Sequence, residues 1–187
     1  MSLTAEILIR AVVCSKLGIK NESVKFNRTT CGKPYLEGYD DFHFNLSHSG
    51  SWVVCAVSSK PVGIDIEKIR EVDLDIAKRF FSKEEASDLF AKEDNEKTEY
   101  FFELWTLKES YIKADGRGLS LPLNSFFFRI ENDNVIFVSE SEKKKFFFKR
   151  YDIDKGYKLA VCSMESHFPE DVEIKSFEEV CKFLCER

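Results

Sequence analysis

The chain has 187 residues, 43% hydrophobic and 33% charged, with 8 Gly and 4 Pro, which sets aside disordered, collagen-like and low-complexity classes. Its 28 basic and 33 acidic side chains leave a formal charge of −5, without the broad positive field that phosphate-backbone binding needs, so nucleic acid is not an expected partner. No apolar run reaches the roughly 18 residues of a membrane span and no basic, apolar leader opens the chain, so no membrane association is expected. The six cysteines contain no C-x-x-C pair and read as reduced thiols of a cytoplasmic protein.

Ile7, Leu8, Ala11, Val12 and Ser15 recur at helical spacing over residues 4–17, with Gly18 placed to close the helix. The stretch 24–62 is β-branched and aromatic, predicting strands near 42–45, 52–58 and 62–67 with turn clusters at 31–34 and 47–50. Ser82 and Glu85 form a capping-box pattern ahead of a helix to about residue 90, and a longer helical pattern covers 95–115 with Gly116 behind it. Strand patterns resume at 125–130, 135–139, 146–153 and 157–164, joined by turns at 132–134 and 154–156. A second capping pattern, Ser176 with Glu179, opens a terminal helix over 177–185. The order helix, strands, helix, strands recurs, so the sequence predicts an α+β fold: a pseudo-twofold pair of similar halves, residues 1–70 and 71–187, with the site at their seam. Eighteen Phe predict an aromatic core.

Several constellations carry chemistry. In Gly63-Ile64-Asp65-Ile66-Glu67 the two carboxylates share one strand face while the isoleucines face the core, an arrangement suited to a hard divalent cation such as Mg²⁺. A half-exposed strand with a solvated acidic face explains the same pattern. Trp105, Glu109 and Lys113 form one stripe on the long helix, read either as site residues or as core packing plus a solvated ion pair. Asn45-Leu46-Ser47-His48-Ser49-Gly50 gathers hydroxyls, an imidazole and backbone amides suited to phosphate, and is equally an ordinary polar turn. A serine-hydrolase elbow and a zinc site are excluded by spacing. Gly32-Lys33-Pro34 is a rigid turn presenting one ammonium, and Lys143 to Lys145 read as a turn into a buried strand.

Taken in order, Gly32-Lys33-Pro34, Phe44 to Gly50, Val62 to Glu67, Phe81 with Glu85, and Trp105-Thr-Leu-Lys-Glu109 with Lys113 and Gly116 resemble the motifs of the Sfp-type 4′-phosphopantetheinyl transferases over nearly the whole chain. The resemblance implies Mg²⁺-dependent transfer of the phosphopantetheine arm of coenzyme A to a serine of an acyl or peptidyl carrier protein, releasing adenosine 3′,5′-bisphosphate. It implies that Asp65, Glu67 and Glu109 hold the metal, with Glu109 and Lys113 acting in catalysis. It further implies that Ser47, His48 and Lys113 contact CoA phosphates, that Lys33 lies near the nucleotide, that Glu85 orients a nearby lysine at the cofactor site, and that residues 69–81 dock the acceptor. Family members begin with a further strand and helical segment; this chain is expected to lack it and to bind CoA weakly. Two other readings compete: a truncated paralogue that binds CoA or a carrier without turnover, and a metal-dependent phosphodiesterase.

Overall fold

The computed structural model describes residues 2–132, 134–139 and 142–186. In chain order its elements are α1 (Leu3–Leu17), β1 (Phe26–Arg28), β2 (Pro34–Leu36), β3 (His43–Ser49), β4 (Trp52–Ser58), β5 (Val62–Lys68), α2 (Asp75–Phe80), α3 (Lys83–Phe90), α4 (Asp94–Asp115), β6 (Phe126–Glu131), β7 (Asn134–Ser139), β8 (Phe147–Tyr151), β9 (Tyr157–Ser163) and α5 (Phe177–Cys185). This is the α+β class expected. Local chemistry places the helix ends: Gly18 and Gly116 stop α1 and α4 in the left-handed conformation, which a residue without Cβ adopts freely. Both capping boxes, Ser82 with Glu85 and Ser176 with Glu179, form their two reciprocal hydrogen bonds. The turn expected at 132–134 passes through Asp133, outside the described residues.

All pairings are antiparallel, in sheets β1-β2, β3-β4, β5-β9-β8 and β6-β7. β5 pairs with β9 along its whole length, from Val62 opposite Ser163 to Lys68 opposite Tyr157, so strands about 95 residues apart in sequence share one sheet. α4 lies across β5 and β9, and Gly63 sets how closely: a Cβ there would fall 2.0 Å from the Ser110 carbonyl oxygen and 2.4 Å from the Ala114 nitrogen. Ile64 and Ile66 point into an apolar cluster with Leu159 and Val161, each burial contributing about 2 kcal/mol. An aromatic cluster of Phe101, Phe102, Tyr111, Phe126, Phe128 and Phe146 surrounds α4, as the phenylalanine content predicts. A third cluster, with Ile9, Val13, Leu36 and Phe44, lies under α1.

Two local expectations are corrected. The segment 47–50 is not a turn: Ser47, His48 and Ser49 continue β3 opposite Val54, Val53 and Trp52, and only then does Gly50, at φ 56°, begin the reversal. The reason is a row of bonds to β5. Asn45 Oδ1, Ser47 Oγ and Ser49 Oγ accept from the backbone N–H groups of Ile64, Ile66 and Lys68 at 2.9, 3.4 and 3.0 Å. Side chains thus satisfy the edge of β5 that faces β3, at every second residue, where a backbone ladder would otherwise be needed. With α4 on one side, this hairpin on another and β9 beside it, β5 is buried from Val62 to Ile66, which removes the solvated reading at Asp65, while Glu67 stays partly exposed.

Candidate functional site

The strand β5 and the last turns of α4 bring the two candidate stripes together. Lys113 Nζ stands 2.6 Å from Asp65 Oδ1, 3.1 Å from Ser47 Oγ and 3.2 Å from the Ile64 carbonyl oxygen. The Ser47 hydroxyl donates to the same Asp65 oxygen at 2.9 Å. The other carboxylate oxygen, Oδ2, is buried without a hydrogen-bond partner. Asp65 is only 4% exposed, and burial pushes its carboxyl up to about 6 even though Lys113 and Ser47 favour its charged form; the charge of Glu109 adds to the rise. Glu109 is itself held above the usual carboxylate range, by burial first and then by Glu67, with Lys113 opposing. Glu67 accepts from the Ser49 hydroxyl at 3.0 Å and from Arg70 at 3.2 Å.

Three carboxylates from two elements therefore share one electrostatic neighbourhood with a single ammonium, Lys113, bonded inside it. Among the described residues no three His, Cys, Asp or Glu side chains converge closely enough to form a closed metal cluster. The hydrogen bonds explain why: Lys113 and Ser47 engage Asp65, while Ser49 and Arg70 draw Glu67 aside. The donor set nevertheless suits a hard cation. An orphaned buried carboxylate oxygen lacks a positive partner, and the burial that raises Asp65 and Glu109, reinforced by the charge of Glu109 on the first and of Glu67 on the second, is what a divalent ion offsets.

The remaining sequence candidates lie elsewhere. His48 is exposed and alternates away from the face on which Ser47 and Ser49 meet β5. Lys33 is not a surface ammonium: its Nζ reaches the carbonyl oxygens of Val62, Lys113 and Ala114 at 3.1, 2.5 and 3.4 Å, and burial holds its pKa down to about 8. Glu85 belongs to a different cluster, wholly buried, 2.7 Å from Lys108 Nζ and accepting from the backbone N–H groups of Ser82 and Phe128 at 2.9 Å each. Trp105 stacks on Phe101 at 5.7 Å between centroids, which is core packing. Sequence reasoning did not assign Lys108, Tyr157 or the separate bonds of Asn45 and Ser49. Alternation of small polar residues at 45, 47 and 49 was the available signal. Tyr157 carries none, and its hydroxyl accepts from Ser51 N at 3.2 Å in the space a Cβ on Gly50 would fill.

Comparison with known proteins places this geometry. A family model described as the 4′-phosphopantetheinyl transferase superfamily matches residues 61–162, and one described as 4′-phosphopantetheinyl transferase, N-terminal, matches residues 1–60. The chain is 45% identical to 4′-phosphopantetheinyl transferase Sfp of Bacillus subtilis over 96% of this chain and 80% of that protein. It is 43% identical to the 4′-phosphopantetheinyl transferase gsp of Aneurinibacillus migulanus over 88% of this chain and 69% of that one. The L-aminoadipate-semialdehyde dehydrogenase-phosphopantetheinyl transferase of Mus musculus is 32% identical over 86% of this chain and 60% of its own length. No helix among the described residues is long and apolar enough to cross a membrane.

Proposed function

The chain belongs to the 4′-phosphopantetheinyl transferase superfamily, and from that membership we propose that it moves the 4′-phosphopantetheine arm of coenzyme A onto a serine hydroxyl of an acyl or peptidyl carrier protein, releasing adenosine 3′,5′-bisphosphate. The observation that carries the reading is the buried Asp65 carboxylate, one oxygen bonded to Lys113 and the other without a partner, beside a Glu109 held above its ordinary range. In the reaction the serine oxygen bonds to the phosphorus of the arm while the pyrophosphate P–O bond to the departing bisphosphate breaks.

Asp65, Glu67 and Glu109 are the residues that would hold Mg²⁺. Once bound, the ion would neutralise charge on the pyrophosphate. Glu109, held above the ordinary carboxylate range by burial, is the acceptor for the serine proton at its carboxylate oxygens. Lys113, with side-chain exposure of 26%, is open to the phosphate side and supplies a cation against the leaving bisphosphate. Ser47 orients Asp65 and Lys113 together, and His48, on the exposed face of the hairpin, serves the nucleotide end of the donor. Residues 69–81, which include α2 and leave Phe80 exposed, are the acceptor-docking surface.

The test is the intact mass of an apo carrier domain after incubation with this chain, CoA and Mg²⁺. A gain of one phosphopantetheine arm is expected. CoA or carrier binding without any mass gain would select the binding paralogue, and cleavage of CoA without an acceptor would select a phosphodiesterase.

A further inference from the structure

The resemblance to the transferases sets Lys33 near the nucleotide, and within the protein its side chain is engaged with backbone. The ammonium lies on three backbone carbonyl oxygens from two elements: Val62 at the head of β5, and Lys113 and Ala114 in the last turn of α4. Carbonyls of a last helical turn have no intrahelical donor and carry the negative end of the helix dipole, so a buried cation there is both a hydrogen-bond partner and a charge partner. Gly116 N–H closes on Ile112 O, leaving the carbonyls of residues 113 and 114 to Lys33. The Lys33 stem runs past Gly116, its Cδ 3.7 Å from where a Cβ on that glycine would stand.

The turn that delivers this side chain is braced before it arrives. Thr29 N–H donates to the Lys33 carbonyl at 2.9 Å, Lys33 N–H donates to Thr29 Oγ1 at 3.1 Å, and Arg28 Nη1 donates to the Gly32 carbonyl at 2.8 Å. One of the carbonyls it grips belongs to Lys113, the residue whose ammonium holds Asp65.

We propose that Lys33 is a positioning residue that clamps the last turn of α4 to the head of β5 and so fixes where Lys113 stands against Asp65. Its low pKa is consistent with the same burial. The functional consequence rests on the transferase reading above; the clamp itself does not. Lys33→Met keeps the apolar stem and removes the ammonium, and Lys33→Arg restores donors.

With wild type turning over, Lys33→Met is expected to lower kcat for carrier modification by tenfold or more while CoA affinity by calorimetry changes less than threefold, and Lys33→Arg is expected to recover much of the rate. A tenfold weaker CoA affinity with kcat unchanged would make Lys33 a ligand of the donor and overturn the proposal. So would unchanged kinetics. If wild type shows no transfer, the transferase reading falls and the clamp is judged by the ¹H–¹⁵N signal of the Lys113 side-chain ammonium. That signal is expected to shift or exchange away in Lys33→Met and persist in Lys33→Arg; an unmoved signal overturns the clamp. Lys33→Gln, a shorter donor, provides the same readouts should the methionine variant not fold.

Discussion

Helix α4 supplies the lysines of two lysine–carboxylate pairs, one wholly and one partly buried, that differ in how completely they are satisfied. Lys108 uses its three donors on Glu85, Leu123 O and Phe126 O, and Glu85 accepts from Lys108, Ser82 N and Phe128 N, with no exposure on either side chain. In the pair of Lys113 with Asp65, the lysine is a quarter exposed and one carboxylate oxygen has no partner at all. The first pair is closed and ties α3, α4 and β6 into one core. The second is held in a protein setting that leaves it short of positive charge, which is the condition under which a cation gains from entering. Saturation of hydrogen bonds, rather than burial, separates the closed pair from the one proposed to act in transfer.

The largest effect expected from breaking this contrast is at the closed pair. Glu85→Gln strands the Lys108 ammonium in the core, and urea unfolding should show a loss of about 3–5 kcal/mol. Asp65→Asn should show the opposite sign, and equal losses at the two sites would erase the distinction. Gly63→Ala comes next. Its methyl has no room against the Ser110 carbonyl, so α4 must lift from β5, costing about 1–3 kcal/mol in unfolding experiments and abolishing carrier modification.

The open pair should declare itself through pH. The folded-state pKa of Asp65, about 6, lies above its ordinary value of 3.8, so the folded protein binds more protons than the unfolded chain between those values. The group therefore penalises folding above about pH 6, and the penalty is relieved as pH falls toward 4. Asp65→Asn removes it: the variant should be about 1–3 kcal/mol more stable than wild type at pH 7, with the gap narrowing at pH 4.5, while transfer is lost. A gap that does not change with pH would mean that Asp65 is ionised at no cost. The smallest effect is expected at His48, whose exposed ring can be replaced by alanine within about 0.5 kcal/mol of stability; calorimetry with CoA should still register the change.

Much of the fold was legible because its signals are local. The glycines behind α1 and α4 and the two Ser–Glu capping boxes each state a helix end within a few residues. The meeting of Asp65 with the Glu109 and Lys113 stripe followed from the order of motifs and their likeness to a family. Elsewhere the deciding interactions lie across long sequence separations. Ser47 to Ser49 read as a turn because serine and histidine are turn formers, whereas pairing with β4 and side-chain bonds to β5, some 19 residues on, keep them extended. Lys33 read as the ammonium of a rigid turn, set near a nucleotide by resemblance, because its acceptors are backbone carbonyls, invisible in any pattern of side chains. Burial of β5 on both faces required knowing that α4 and the hairpin close over it.

The row formed by Asn45, Ser47 and Ser49 along β5 has a genetic consequence. In an ordinary sheet the rungs are peptide groups, which every residue type carries, so substitution cannot remove them one by one. Here each rung is a side chain, and the seam between the hairpin and the carboxylate strand is spelled out in codons. Register across it is specified by three letters at alternate places, since a slip by one would set Leu46 and His48 against the amides. Each rung can also be deleted or shortened singly, so mutation can adjust how firmly the hairpin grips Asp65 and Glu67 without altering either carboxylate.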